Sequence, residues 1–286
     1  MKNLKIFFAA FFISLPFWLG VNFFQENLED FLFWRVMAAN PQLLMAQMVE
    51  EENLAALKPI RNRSVYELAI GAEAAISVFV DNDGSERILF EKNSAKPLPI
   101  ASLTKLMTAK IVLEYYDIKE QEVAHLLYPL LISSDNKSAD ILAGMFDEAA
   151  FVDLMNLEAK NLGLENTYFF NPTGLDPKEP ESGVNYSTAD DLVKFAGYLT
   201  LAHPLIWEIS AIEAFENSVS TNELLEDFPD IIGGKTGETP RAGGCLILIV
   251  KAPKGKGYIV SVVLNSQNRF EEMRQLINWS EHAYKW

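Results

Sequence analysis

The sequence predicts a single α+β domain that follows an apolar N-terminal segment. Apolar runs of strand-like composition lie near both ends of the region beyond residue 64, and helical stretches fill its middle. Hydrophobic residues make up 49% of the 286 residues, which suffices for one large core and excludes a mostly disordered chain. We therefore expect the terminal strands to share an antiparallel sheet and the central helices to form a second lobe.

Residues 1–24 predict a membrane anchor. The stretch 6–24 is apolar apart from a few Ser, Pro, Gly and Asn residues, and as a helix it would span roughly 28 Å. Lys2 and Lys5 precede it, which favours an N-terminus inside and the remaining chain outside the cytoplasmic membrane. No suitable cleavage site follows, so we favour a retained transmembrane helix. The alternatives are a cleaved signal peptide, which would make the protein secreted, and a buried core helix.

Residues 25–64 predict an amphipathic connecting segment, which lies on the membrane surface or forms a stalk. Residues 65–286 form the predicted folded domain. It opens with two strand patterns, Ala75–Val80 and Arg87–Glu91, on either side of a hairpin turn of sequence Asp-Asn-Asp-Gly.

Helical patterns occupy the middle of this domain, and two further strands and a helix close it. The helical stretches are Ala101–Tyr116, Glu122–Ile132, Asn136–Met145, Ala149–Leu162 and Thr188–Leu201. The closing elements are the strand patterns Cys245–Val250 and Tyr258–Leu264 and the helical pattern Phe270–Tyr284.

Composition argues against several classes of function. The net charge of −15 disfavours a nucleic-acid partner. The single cysteine, Cys245, excludes an internal disulfide, and the three histidines never stand at metal-ligand spacing. We therefore predict no metal site and no cofactor.

Three short motifs occur in order along the domain. They are Ser102-Leu103-Thr104-Lys105, Ser134-Asp135-Asn136 and Lys235-Thr236-Gly237. Each is a weak to moderate signal alone. Ser-x-Asn recurs elsewhere and Ser134 with Lys137 forms a second Ser-x-x-Lys, whereas Lys-Thr-Gly is rarer and occurs once. Context selects among them: the first motif opens a helix after two prolines, and the last is predicted to precede a strand. The ordered triplet matches that of penicillin-recognising serine enzymes.

The spacing explains what each of the first two motifs would do. Ser102 and Lys105 stand three residues apart on one helix face, so a neutral Lys105 can take the proton of the Ser102 hydroxyl. Burial and a second cation, Lys235, would lower the pKa of Lys105. Ser134 would relay the proton to the departing amine, and Asn136 would hold the substrate amide and orient Lys105.

The third motif would bind the end of the substrate. Lys235 supplies a positive charge and Thr236 a donor for a free carboxylate. Gly237 would let the substrate backbone lie against the strand. The backbone N–H of Ser102, at the start of a helix, would stabilise an oxyanion.

Longer stretches resemble the D-alanyl-D-alanine carboxypeptidase family, the low-molecular-mass penicillin-binding proteins. They are ILFEKNSAKPLPIASLTKLMTA (88–109), LLISSDNKSADILA (130–143), NTYFFNPTGLD (166–176), YSTADDL (186–192) and IGGKTGETPRAGGCLIL (232–248). The resemblance implies a β-lactamase/penicillin-binding-protein-like fold, with helices on both faces of an antiparallel sheet and a helical lobe. It also implies that Arg269 helps hold the substrate's terminal carboxylate and that the backbone N–H of Glu238 completes the oxyanion hole.

The same resemblance implies an activity and a location. The expected enzyme is a serine D-Ala-D-Ala carboxypeptidase that trims the terminal D-Ala of peptidoglycan stem peptides through a Ser102 acyl-enzyme. β-Lactam antibiotics would acylate the same serine. The expected location is the bacterial cell membrane, with the catalytic domain 65–286 on the outer, periplasmic or extracellular side.

The chain departs from the family pattern in three places. Only 29 positions separate Lys105 from Ser134, where the family usually has a longer segment with β-structure, so we expect a more open cleft. Residue 238 is a glutamate where the family more often has an aromatic residue or histidine, and its carboxylate is expected to weaken substrate binding unless it pairs with Lys235 or Arg241 and orders the pocket. The family's C-terminal β-domain and membrane-binding tail are not expected, and an N-terminal anchor would replace the tail.

Three alternatives remain open at this stage. A class A β-lactamase shares two motifs but needs a Glu-x-x-Leu-Asn loop, and neither Glu158 nor Glu165 has the required followers. A D,D-endopeptidase acting on cross-links fits an open cleft. An inactive wall-binding module on the same scaffold would account for the missing segment and Glu238, although the intact motifs argue against it.

Overall fold

The computed structural model describes residues 59–116, 121–179 and 183–286. Residues 1–58 are a separate unit from residues 59–286. The predicted anchor at 1–24 and most of the predicted connecting segment therefore lie outside the described residues. Within the described ranges, no helix is long and apolar enough to cross a membrane.

A five-stranded antiparallel sheet forms the centre of the domain, in the spatial order β3-β2-β10-β9-β8. Its strands are β2 (Ala74–Val80), β3 (Glu86–Lys92), β8 (Ile231–Thr239), β9 (Gly243–Lys251) and β10 (Tyr258–Ser266). Shorter strands pair outside it: β1 (Ile60–Arg61) with β11 (Tyr284–Lys285), β4 (Leu98–Pro99) with β5 (Tyr186–Ser187), and β6 (Ala214–Phe215) with β7 (Ser218–Val219). The first and last long strands of the domain thus share one sheet, as the sequence predicts.

Helices cover both faces of this sheet. In chain order they are α1 (Lys105–Tyr115), α2 (Gln121–Leu131), α3 (Asn136–Gly144), α4 (Glu148–Asn161), α5 (Ala189–Ala202), α6 (Pro204–Ser210) and α7 (Arg269–His282). Helix α7 packs on β2, β3, β9 and β10, whereas α5 packs on β2 and β10 and α6 on β8. Helices α1–α4 pack on one another and form the helical lobe.

Burial explains the unbroken apolar strands. All seven residues of β2 are buried, and so are the seven central residues of β9. A strand of a sheet covered on one face alternates in polarity, but a strand covered on both faces carries apolar side chains throughout. One apolar core therefore joins the helical lobe to the sheet, and a second, smaller core lies under α7.

The sequence predictions hold for the main elements and differ from the structure in three details. The Lys235-Thr236-Gly237 motif precedes strand β9, as predicted, but it also lies within edge strand β8, which the sequence did not predict. Ala101–Thr104 forms a 3-10 turn, and the α-helix begins only at Lys105. Helix α6 was not predicted, because its seven residues are too few to show a helical period.

Candidate active site

The 3-10 turn at Ala101–Thr104 presents Ser102 between the sheet and the helical lobe. Ala101 adopts a φ of 47°, a left-handed conformation that non-glycine residues rarely occupy. The surroundings hold the turn: Thr104 Oγ1 donates to the carbonyl of Ala101 over 2.7 Å, and Ile100 N donates to the carbonyl of Asn185 over 3.1 Å. Ser102 is therefore positioned by a strained turn that specific hydrogen bonds support.

Lys105 contacts Ser102 directly, as the motif spacing predicts. Its Nζ lies 2.9 Å from Ser102 Oγ, 2.8 Å from Asn136 Oδ1 and 2.6 Å from the carbonyl oxygen of Thr173. The side chain is fully buried. All three partners are uncharged oxygens, so they orient the amine without supplying a neutralising negative charge.

Burial sets the protonation behaviour of Lys105. It lowers the pKa of Lys105 from 10.5 to about 8, while the negative charges of Asp135 and Asp140 oppose the shift. A lysine with this pKa is substantially neutral at mildly alkaline pH. It can therefore accept a proton from Ser102 Oγ.

The Ser134-Asp135-Asn136 motif lies at the start of α3. Asp135 caps this helix, accepting hydrogen bonds of 2.7 Å from the backbone N and the Oγ of Ser138. Ser134 adopts a φ of 59°, and its Oγ is buried with no hydrogen-bond partner among the described residues. An orphaned buried hydroxyl is costly, and a proton relay to a substrate amine would give it a partner.

Lys235, in the middle of β8, is the second buried cation of this site. Its Nζ donates to the carbonyl of Thr236 over 3.0 Å. Burial, aided by the positive charges of Lys105 and Arg269, holds the pKa of Lys235 well below its usual range. The Oγ1 of Thr236 lies 2.5 Å from that of Thr221, which fixes the position of the Thr236 hydroxyl.

Gly237 brings the edge strand against the turn that carries Ser102. A Cβ at this position would lie 2.9 Å from both the carbonyl oxygen of Ile100 and the backbone N of Ser102. Strand β8 could not approach this closely with any other residue, because real Cβ atoms essentially never come within 3.0 Å of another heavy atom. Gly237 thus makes room for the protein's own turn, a role that was not predicted for it.

Arg269 and Glu238 form an ion pair. Arg269 begins α7, and its Nη1 donates to Glu238 Oε2. That Glu238 lies beside a carboxylate pocket stays a prediction, since the assignment of Arg269 to that pocket is itself a prediction. Glu238 pairs with Arg269, whereas the pairing considered from the sequence was with Lys235 or Arg241.

Sequence reasoning assigned no role to several residues that build the site. The loop from Asn171 to Asp176 supplies the Thr173 carbonyl to Lys105, and Asn171 Oδ1 holds the loop by accepting from Thr173 N and Gly174 N. Asn185 Nδ2 donates to Thr104 Oγ1 over 2.9 Å. This loop lies within a stretch that resembles the family, but a backbone carbonyl leaves no residue-type signal.

The fold and this Ser-Lys centre define a serine hydrolase of the acyl-enzyme type. The sequence profile described as D-alanyl-D-alanine carboxypeptidase matches residues 62–125 and 115–268. The chain therefore belongs to the D-alanyl-D-alanine carboxypeptidase family of penicillin-binding serine peptidases.

Similar proteins include carboxypeptidases and an endopeptidase. The D-alanyl-D-alanine carboxypeptidase DacF of Bacillus subtilis is 30% identical over 250 residues, which cover 74% of this chain and 62% of that protein. The D-alanyl-D-alanine endopeptidase of Escherichia coli is 28% identical over 287 residues, which cover 87% of this chain and 89% of that protein. Penicillin-binding protein D2 of Listeria monocytogenes, solved with bound cefotaxime, has 30% identity and a TM-score of 0.65, covering 76% of this chain and 99% of that one.

Proposed function

We propose that this chain hydrolyses the terminal peptide bond of D-Ala-D-Ala stem peptides of peptidoglycan, and that penicillins acylate the same serine. The observation that carries the proposal is the fully buried Lys105 amine, 2.9 Å from Ser102 Oγ and held by uncharged oxygens. Membership of the carboxypeptidase family supplies the substrate class.

The first half-reaction forms an acyl-enzyme on Ser102. Neutral Lys105 takes the proton of Ser102 Oγ as this oxygen bonds to the carbonyl carbon of the penultimate D-Ala. Ser134 gives its proton to the nitrogen of the terminal D-Ala and is reprotonated by Lys105, the carbon–nitrogen bond breaks, and D-Ala leaves as a free amine. Water then attacks the ester carbonyl carbon, and Lys105 takes the proton of the water and returns it to Ser102 Oγ. The ester bond breaks, and the shortened peptide leaves with a free carboxyl group.

Two groups of residues support this chemistry. The backbone N–H groups of Ser102 and Glu238 are assigned to the oxyanion. Lys235, Thr236 and Arg269 are assigned to the carboxylate of the departing D-Ala. The proximity of Gly237 to Ser102 N supports the oxyanion assignment, because it brings the backbone of β8 beside the nucleophile.

Incubation of the full chain with benzylpenicillin tests the nucleophile. Peptide mass mapping should find the adduct on Ser102, and Ser102→Ala should neither acquire it nor release D-Ala. An adduct on Ser134 in that variant would contradict the assignment and implicate the Ser134–Lys137 pair.

A D,D-endopeptidase is the second candidate, because the Escherichia coli endopeptidase aligns over most of both chains. Mass spectrometry of purified cross-linked and uncross-linked muropeptides after incubation separates the two activities. Loss of the terminal D-Ala with cross-links intact supports the carboxypeptidase. Conversion of cross-linked dimers to monomers supports the endopeptidase.

We further propose that residues 1–24 anchor the protein in the bacterial cell membrane with the catalytic domain outside. The support is the apolar run and the two lysines before it. Protein extracted from membranes should have an intact mass that includes residues 1–24. A mature N-terminus beyond this segment, with the protein in the soluble fraction, would contradict the anchor.

A further inference from the structure

Glu238 forms an ion pair with Arg269, the arginine that the substrate carboxylate is expected to bind. Its Oε2 accepts from Arg269 Nη1 at the end of the Lys235-Thr236-Gly237 strand. The side chain of Glu238 is 66% exposed, whereas that of Arg269 is 17% exposed. The carboxylate of the pair therefore lies on the solvent side and the guanidinium on the protein side.

The surroundings hold Arg269 more firmly than Glu238. The guanidinium carbon lies 4.7 Å from the centroid of the Phe270 ring. The stem of Arg269 packs over Gly244, where a Cβ would lie 3.3 Å from Arg269 Cβ, and Gly244 is the cross-strand neighbour of Glu238. Sheet register thus brings the pair together, and Glu238 is the partner that can leave.

The charges around the pair favour an incoming carboxylate only once Glu238 has moved. Arg269 Nε is buried and has no acceptor among the residues that the structure describes, so the guanidinium has donor capacity that Glu238 does not use. While the pair is intact, however, the negative charge of Glu238 offsets the charge of Arg269. A carboxylate arriving there has to displace Glu238 or lie beside it.

We propose that Glu238 is a specificity-determining residue that competes with the substrate's terminal carboxylate for Arg269. It disfavours leaving groups with a free carboxylate relative to leaving groups whose carboxyl is amidated. The proposal rests on the proposed function, since it assigns the leaving group to this pocket.

Steady-state kinetics of the full chain on an N-acylated D-Ala-D-Ala peptide and on its C-terminal amide test the proposal. Glu238→Gln should raise kcat/KM for the acid by about three- to tenfold, mainly through KM, because a partly exposed ion pair is weak and its loss frees Arg269 for the substrate carboxylate. The value for the amide should rise less, so the ratio of kcat/KM for the acid to that for the amide should increase. Glu271→Gln is the matched control: it removes the same charge from the first turn of α7, where Glu271 pairs with Arg274, and should leave the acid-to-amide ratio unchanged.

A fall in kcat/KM for the acid in Glu238→Gln, or equal changes for acid and amide, would overturn the proposal. Acylation by benzylpenicillin and by its methyl ester repeats the comparison without peptide hydrolysis. If neither peptide is cleaved, the proposed function fails, and the acid-to-ester ratio still decides the role of Glu238. A ratio that Glu238→Gln leaves unchanged would overturn that role.

Discussion

Two buried lysines on helix α1 differ in the charge of their partners. Lys105 is fully buried and contacts three uncharged oxygens, those of Ser102, Asn136 and Thr173. Lys110, five residues on, is 1% exposed and forms ion pairs with Glu114 and Glu158. Burial is therefore common to both lysines, and what distinguishes them is that Lys105 has uncharged partners whereas Lys110 is ion-paired.

The network around Lys110 extends well beyond one pair. Tyr198 OH donates to Glu114 Oε1 over 2.9 Å, and Tyr115 OH donates to Glu158 Oε1 over 3.1 Å. Burial and the neighbouring Glu114 raise the pKa of Tyr198 to about 12. Glu158, which lies in the region where a β-lactamase would carry its deacylating glutamate, is thus engaged by Lys110 and Tyr115.

Replacing Lys105 is expected to have the largest effect on activity. Lys105→Met keeps the side-chain volume but removes the base, so the rate of penicillin acylation should fall by about a hundredfold to ten-thousandfold. Stopped-flow acylation measures the rate, and thermal unfolding checks that the variant is folded. Equal acylation rates in the two proteins at neutral pH would remove Lys105 as the base.

Replacing Lys110 should affect stability instead. Lys110→Met leaves the largely buried carboxylate of Glu158 without its cation, which should cost about 3–5 kcal/mol of the free energy of unfolding. Urea unfolding measures the loss. The double variant Lys110→Met/Glu158→Gln should recover part of it, because the unpaired charge is gone.

Acylation per folded molecule is the control for the Lys110 variant. It should stay within about twofold of the original protein, since Lys110 bonds to Glu114 and Glu158 rather than to the catalytic groups. If Lys110→Met lost as much acylation as Lys105→Met, the assignment of catalysis to Lys105 and of stability to Lys110 would be wrong.

Asn136→Asp would give Lys105 a carboxylate partner, as Lys110 has in Glu114 and Glu158. An opposite charge in hydrogen-bond contact raises the pKa of a lysine by about 1–3 units, so acylation at neutral pH should fall about tenfold to a thousandfold and recover as pH rises. The matched control is Asn136→Ala, which removes the contact without adding charge and should lower the rate without an upward shift of the pH profile. An unshifted profile in Asn136→Asp would contradict the comparison.

Asp140→Asn should have the smallest effect. The negative charge of Asp140 raises the pKa of Lys105, so its removal should lower that pKa and move the pH profile to slightly lower pH. The shift is expected to be small, because Asp140 is exposed to solvent, which screens its charge. A shift to higher pH would be inconsistent with the assigned base.

The sequence predicts the contacts of these lysines only where they depend on local spacing. Ser102 and Lys105 are three residues apart, and their contact follows from any helical or 3-10 geometry. The Lys110–Glu158 pair spans 48 positions and the Lys105–Thr173 bond 68, and such contacts depend on how the helical lobe packs. The Glu238–Arg269 contact likewise depends on the sheet register, so the sequence does not predict it, although the sequence analysis assigns a role to each residue.

The measurement that tests the central claim most directly is the pH dependence of penicillin acylation of the full chain. If neutral Lys105 is the base, the rate rises as the amine loses its proton and levels off above its pKa of about 8. A rate that is flat from about pH 6 to pH 9, or one that keeps rising toward the ordinary lysine pKa of 10.5, would contradict the claim.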